Sequence, residues 1–524
     1  MKYIALTLGP ITRTIDMADN TRSLWAASYL FSYIGKQIIM PFKDRKFLLP
    51  YISDDMFENT YRGAGVFPDR YIFGAEDGDF DTLSKHVGEV INNLAESISK
   101  ETKYDKGEIK NFLKKYLKVY FFEKDFDIDD KKRIKESCEK SLSLLEMQDS
   151  IVSKEHDSKL FLNRLFERVT GSFLAKDAGI QSGFPTIVKV SSGDNIEMPE
   201  QPYQRYVAVV KADGDSMGKA FENAADANIL SQALFEFNKI AVETIHAYNG
   251  LPVYIGGDDL LFFAPVYTTV KRKDIEKKAS LFSLLKELDD AFHGCIKTTQ
   301  LETHPTLSFG VSITYFKYPM FEALNLADSL LSKAKIGKAD NPKNNIVFSV
   351  QKHSGQTRAA LLHKGNVMTL QKFNSFVDDF MTKTKEEDKR ESNEKDKEKP
   401  TEKKMLASVM HGLREKEPLL CVALKQKITI DNFFKNNFNE LVHEKYGKFF
   451  DDIINLLLTS CQEFSKDNIL NKLKDCLPKN MMTKNAFAEE WVATPEKAAI
   501  ETVYNALQFV HLINQRDDER DENI

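Results

Sequence analysis

The segment Val253-Tyr254-Ile255-Gly256-Gly257-Asp258-Asp259-Leu260-Leu261-Phe262 constrains this chain more than any other. Two short apolar runs, each suited to a buried strand, are joined by two glycines and two acids, which is hairpin chemistry. A chain that forms it must cover both strands with other elements and leave the acids at the sheet's end. Tyr206-Val207-Ala208-Val209-Val210 is a second such run, continuous as in a central strand buried on both faces. It ends in Lys211-Ala212-Asp213-Gly214-Asp215, with Asp213 45 positions before Asp258.

Around these runs the pattern predicts a strand from Tyr206 to Lys211, a helix from Asn228 to Tyr248, and strands Pro252 to Ile255 and Leu260 to Ala264. A helix Ala279 to His293, strand Thr306 to Phe316, helix Met320 to Lys335 and strand Asn345 to Gln351 follow. The order βαββαβ with one further strand is ferredoxin-like and sets the hairpin beside the first strand, so the acids can converge.

The remainder divides by pattern. Residues 1–105, with part of 180–200, open on a strand at Tyr3 to Leu8 and a helical pattern from Ile11 to Gln37, then a Gly/Pro loop at 63–70 and a strand Tyr71 to Phe73. Residues 106–180 read as a helical insert, 201–355 as the acid-bearing domain, and 356–524 as a helical domain interrupted by a charged loop at 383–404. The fold class is therefore α+β, two α/β units plus helical domains.

Composition adds exclusions. No apolar run reaches the ~20 residues a membrane span needs, so no membrane is expected and the chain reads as cytoplasmic. Cys138, Cys295, Cys421, Cys461 and Cys476 form no C-x-x-C pair, which leaves neither a zinc ribbon nor a disulfide framework. A net charge of −5 gives no overall attraction to a phosphate backbone.

The converging acids point to phosphoryl chemistry. Asp213, Asp258 and Asp259 are the candidate catalytic and metal-ligating residues, because a carboxylate cluster can hold Mg²⁺ or Mn²⁺ against a triphosphate. On a regular strand Asp258 and Asp259 face opposite sides, so they share an ion only if the turn is irregular. Gly256 and Gly257 remove Cβ atoms from a nucleotide's approach. Ser216 is expected to cap a short helix whose N–H groups, with Lys219, suit phosphate oxygens. Solvated acids at a polar turn are the bland alternative.

Three features are set aside. Gly214-Asp215-Ser216-Met217-Gly218-Lys219-Ala220 is one residue short of a P-loop and lacks its Ser/Thr. His156-Asp157 is a lone dipeptide without further histidines around it. Lys114 to Tyr120 reads as an amphipathic helix with a solvated Lys face rather than an RNA contact.

Asp213-Gly214-Asp215-Ser216-Met217-Gly218-Lys219 and Gly256-Gly257-Asp258-Asp259 resemble the large Palm-domain subunit of type III CRISPR effector complexes, of the Cmr type (type III-B). So do Gly9-Pro10 with Thr21 to Tyr33, Ser308-Phe309-Gly310-Val311-Ser312-Ile313, and the helix ending Ala327 to Lys335. The resemblance covers most of residues 1–355. It implies two Palm (nucleotidyl cyclase-like) domains, the first degenerate, and helical domains that dock other subunits of the complex, crRNA and target RNA. ATP is then the substrate, converted on target RNA binding to a cyclic oligoadenylate or joined to S-adenosylmethionine. Gly214, Asp215, Ser216, Gly218, Lys219, Gly256, Gly257, Ser308 and Lys335 become the nucleotide-binding set. Lys335 matches the phosphate-binding lysine of related cyclases, while a charge complementing the helix dipole is its plainer role. The chain starts at the Palm without an HD nuclease domain, so DNA cleavage is not expected. A catalytically silent scaffold subunit is the alternative.

Overall fold

The computed structural model describes residues 1–18, 20–57, 63–127, 130–147, 172–180, 184–193, 199–223, 227–272, 275–299, 301, 305–335, 343–351, 357–364, 370–378, 380, 402–426, 430–438, 447–465, 470, 477–484 and 491–514.

The first domain is built on β1 (Lys2–Gly9), whose inner residues are all buried. After it come α1 (Ile11–Asp16), α2 (Thr21–Ile39), β2 (Phe47–Leu49), β3 (Arg70–Gly74), α3 (Asp79–Thr102), α4 (Lys106–Tyr116) and β4 (Lys118–Asp125). The strands order β2-β3-β1-β4, with every pair antiparallel, which is a complete ferredoxin-like unit. The single helix expected from Ile11 to Gln37 is two, because Asn20 accepts from Ser23 N at 2.9 Å and starts α2 afresh as its N-cap.

The helical insert expected over 106–180 is corrected. Residues Lys118–Asp125 form β4, paired along its length with β1, and close the first sheet. The basic-aromatic stretch thus splits between the end of α4 and the start of β4. Helix α5 (Lys131–Met147) covers the outer face of this sheet through Ile134, Cys138 and Leu142. The Leu160 to Phe166 run and His156-Asp157 lie outside the described residues.

The second domain comprises β5 (Tyr206–Gly214), α6 (Met217–Asn223), α7 (Ala227–Ala247), β6 (Leu251–Gly256), β7 (Asp259–Pro265), β8 (Tyr267–Arg272), β9 (Ile275–Ser280), α8 (Leu281–Lys297), β10 (Leu307–Tyr315), α9 (Met320–Lys335), β11 (Asn345–Gln351) and β12 (Thr357–His363). Its sheet runs β12-β11-β10-β5-β7-β6, parallel only between β10 and β11. Strand β5 is central, as its apolar run requires. Ala208, Val210 and Ala212 face α7 and α8, while Val207 and Val209 enter a core shared with Trp25, Leu30 and Ile34 of α2. One face of the acid-bearing sheet is thus covered by the first domain, which fixes the two domains against each other through apolar burial.

The helical domain expected from residue 356 opens instead on a strand, β12, which pairs antiparallel with β11 and extends the second sheet. Helices α10 (Glu402–Glu415), α11 (Glu417–Lys425), α12 (Ile430–Asn437), α13 (Gly447–Ser465) and α14 (Pro495–Asn514) form the C-terminal domain, with a two-stranded ribbon β13 (Thr483–Lys484) and β14 (Trp491–Val492). Helix α14 is buried almost all round, as a helix at the centre of a bundle must be. The charged stretch 383–404 is outside the described residues up to 401, and α10 begins at Glu402. Among the described residues no helix is long and apolar enough to cross a membrane. The described cysteines are free thiols, and burial pushes that of Cys138 up to about 11.

Candidate active site

Strands β6 and β7 pair through Ile255 with Leu260 and Gly256 with Asp259, which leaves Gly257 and Asp258 as a two-residue turn. Gly257 sits at φ +63°, the left-handed conformation that such turns need and that costs glycine nothing. Pairing of β5 with β7 ends at Ala212 and Leu260, and β10 flanks β5 on its other side with Ser308 opposite Asp213. The end of β5 therefore points at the turn.

The approach is close. A Cβ on Gly214 would lie 2.7 Å from both the Cβ and Oδ2 of Asp258. The carboxyl groups of Asp213 and Asp258 are close enough for each to feel the other's charge. Burial first, and then the neighbouring charge of Asp213, push Asp258 up to about 6. Asp259 is pushed up to about 7 by burial, then by Asp258 and Asp213, with a smaller contribution from Asp69 of the first domain. Asp259 is surrounded by protein at the end of the sheet, yet its side chain opens to solvent at the rim, so water screens part of both the burial and the repulsion. Two raised carboxyls side by side mark negative charge that the protein alone leaves under-compensated.

Lys335, the last residue of α9, supplies the nearby cation. Its Nζ pairs with Asp213 Oδ2 and donates to Gly214 O at 3.1 Å, and both side chains of the ion pair are partly exposed. The lysine is therefore an acid partner as well as the helix-end charge expected from the dipole. Among the described residues no three or more His, Cys, Asp or Glu side chains are gathered as a finished metal site. The donor set is all carboxylate oxygen, which suits a hard divalent cation, and the raised acids fit one.

The remaining expected contacts separate into two groups. Ser216, Gly218 and Lys219 are exposed beside Asp213 at the head of α6. Ser216 has φ +62° rather than the extended backbone of an N-cap, so the expected cap is corrected, although its carbonyl accepts from Ala220 N at 3.0 Å.

Asp215 and Ser308 belong to the floor instead. Asp215 is 3% exposed and its Oδ2 accepts from Thr306 Oγ1 and Ser308 Oγ at 2.7 Å each and from Asn344 N at 2.8 Å. Ser308 is fully buried. Both are buried, and Asp215 Oδ2 with Ser308 Oγ ties β5, β10 and the start of β11 together, while Asp215 Oδ1 has no hydrogen-bond partner among the described residues. At Gly256 a Cβ would meet the Tyr254 hydroxyl at 2.7 Å, so the bareness of this position also serves that ring.

Asn238, in the middle of α7, is the site residue that sequence reasoning missed. It is 3% exposed, and in the amide orientation that satisfies both groups it donates to Gly257 O at 2.9 Å and accepts from Gly257 N at 3.0 Å. A two-point clamp of this kind fixes the turn that carries Asp258. Asn238→Ala is expected to loosen the turn and cost about 1–3 kcal/mol of stability, because it removes both hydrogen bonds to Gly257. Urea unfolding checks this, and unchanged stability would show that the turn holds its shape unaided. An asparagine within a helix carries no sequence signal for such a role, because its partner belongs to another element.

Two family models match the chain: "CRISPR-associated protein Cmr2, N-terminal" over residues 3–112 and "Cas10/Cmr2, second palm domain" over residues 206–347. The CRISPR system Cmr subunit Cmr2 of Pyrococcus furiosus is 26% identical over 188 residues, which span 30% of this chain and 20% of that protein. The chain thus aligns with one fifth of the curated relative's length. Among solved structures, a chain of the type III-B Cmr-beta complex bound to cognate target RNA is similar with a TM-score of 0.52 at 11% identity, covering 84% of this chain and 78% of that one. A chain of the apo Cmr-beta complex matches with a TM-score of 0.46 at 11% identity, covering 69% and 70%. The first of these likenesses shows the shared fold.

Proposed function

We propose that this chain, a Cmr2/Cas10-type subunit, is a divalent-cation-dependent nucleotidyltransferase that uses ATP and forms a phosphodiester with release of pyrophosphate. The approach of Asp213 to Asp258 at one end of the second sheet, with Asp259 next to them at the rim, carries the reading. A hydroxyl attacks the α-phosphorus, the new P–O bond forms, the bond to the β-phosphate bridging oxygen breaks, and the hydroxyl proton leaves to a base or solvent.

Asp213, Asp258 and Asp259 would hold Mg²⁺ or Mn²⁺. The ion supplies the positive charge that favours the attacking alkoxide and offsets the triphosphate. Lys335, paired with Asp213 and donating to Gly214 O, would stand within reach of a phosphate oxygen of the triphosphate. Lys219 and Gly218 stand exposed on the same rim for the triphosphate, and the Gly257 turn leaves open space beside its own Cα. Asp215, Ser308 and Asn238 hold these groups in place.

The acceptor hydroxyl is that of a second ATP in oligoadenylate synthesis, or S-adenosylmethionine is the co-substrate. Within this proposal the subunit works inside a Cmr-type complex with its other subunits, crRNA and target RNA, in the cytoplasm. A silent scaffold is the second reading, favoured by the Lys335–Asp213 pair if nothing displaces it. Incubating the assembled complex with labelled ATP and Mg²⁺, with and without target RNA and S-adenosylmethionine, and weighing the products by mass separates these cases. An RNA-dependent oligoadenylate ladder supports cyclisation, an adduct mass supports conjugation, and untouched ATP in every arm leaves the scaffold.

A further inference from the structure

We infer that Asn345 and His363 form a positioning pair for Lys335, so that strand β12 sets the grip on the triphosphate. The inference deepens the nucleotidyltransferase reading and rests on it for the role of Lys335. Asn345 is fully buried at the start of β11 and lies directly opposite His363, the last residue of β12. Its Nδ2 donates to Ala334 O at 2.9 Å. That carbonyl belongs to the final turn of α9, where a helix leaves its oxygens without i+4 donors, and it immediately precedes Lys335.

The other half of the amide fixes its own orientation. Asn345 Oδ1 lies 2.8 Å from His363 Nδ1. With the amide NH₂ committed to a carbonyl, the oxygen must be the acceptor, so the ring carries its proton on Nδ1. Burial of the imidazole, 5% exposed, favours its neutral form. The end of α9 is thereby tied twice, through its backbone to Asn345 and through the Lys335 side chain to Asp213 and Gly214.

Strand β12 is itself held from the C-terminal domain. Leu361 shares a core with Ala498 and Ala499 of α14, Asn480 Nδ2 donates to Ala359 O at 2.9 Å, and Thr502 Oγ1 donates to Leu361 O at 3.5 Å. A continuous path of packed and hydrogen-bonded groups thus runs from α14 through His363 and Asn345 to the lysine beside the acids.

Loosening the pair frees the last turn of α9 and dilutes the ammonium at the triphosphate, which weakens substrate binding more than chemistry. In the full chain within its assembled complex, Asn345→Ala and His363→Leu are expected to raise the KM for ATP about tenfold with kcat within about threefold. His363→Gln keeps a donor for Asn345 Oδ1 and is expected to return KM to within about threefold of wild type. Combining His363→Leu with Lys335→Ala is expected to add nothing to Lys335→Ala alone, since both act through one group. Unchanged KM in both single variants, or effects that add to that of Lys335→Ala, would overturn the inference. Absence of product from wild type would instead sink the nucleotidyltransferase reading. ATP affinity by titration calorimetry then decides the positioning pair on the same criterion: about tenfold weaker binding supports it, and equal binding overturns it. Melting curves identify any variant that fails to fold, and Asn345→Ala and His363→Leu provide independent routes to the same tie.

Discussion

Replacing Asp258 and Asp259 together by Asn is expected to reduce product formation by about a thousandfold or more, through loss of the charges on which the reaction depends. The same change is expected to make the cation-free protein harder to unfold at pH 8. Both acids have folded-state pKa values above the ordinary 3.8, at about 6 and about 7. The folded protein therefore holds protons that the unfolded chain gives up, and stability falls as pH rises from about 4 through 7. Asparagine removes the repulsion. The gain at pH 8 is on the order of 1–3 kcal/mol, kept small because Asp259 is exposed to solvent, and it shrinks towards zero near pH 4. Urea unfolding of both proteins across that pH range, beside product assays, checks the pair of results. Loss of activity with no pH-dependent gain in stability would mean that the acids are not electrostatically crowded. Retained activity would remove them from the chemistry altogether.

Such a trade between activity and stability is what a site built from desolvated like charges should show. Its core was readable in the sequence because the signals were local. A strand buried on both faces declares itself by Val207 to Val210, and the turn by two glycines and two acids. The ranges of α9 and β11 are likewise as expected, since each element has a consistent period and clear ends.

What escaped was non-local. Strand β4 is half-buried along most of its length and flanked by helices, so Lys118 to Asp125 offers neither an apolar run nor a clean alternation. Strand β12 reads Thr-Arg-Ala-Ala-Leu-Leu-His, with residues as much at home in a helix, and becomes a strand because β11 offers it an edge. Asp215 and Ser308 looked like ligands because they adjoin the motif; only the fold shows their polar atoms turned inward. The clamp of Asn238 on Gly257 joins a helix to a turn and exists only once both have been placed.

Gly214→Ala is expected to cost about a hundredfold in turnover, although the glycine has no catalytic group and needs no unusual backbone angle. The added methyl would lie 2.6 Å from Met217 Cγ, which can swing aside, and 2.7 Å from Asp258 Cβ, which cannot move without its turn. That turn is clamped by Asn238, so the strain of about 1–3 kcal/mol is relieved by separating β5 from the acids, and Asp213 loses its place against Asp258. Gly88→Ala, where a methyl meets nothing within 4 Å on α3, serves as the matched control. Rates measured at rising Mg²⁺ sharpen the comparison. If the three acids act by closing around a cation, G214A needs more Mg²⁺ for half-maximal rate and the control does not. Equal Mg²⁺ dependence with full turnover in G214A would mean that contact between the β5 end and the turn is incidental, and that the acids do not work as one group.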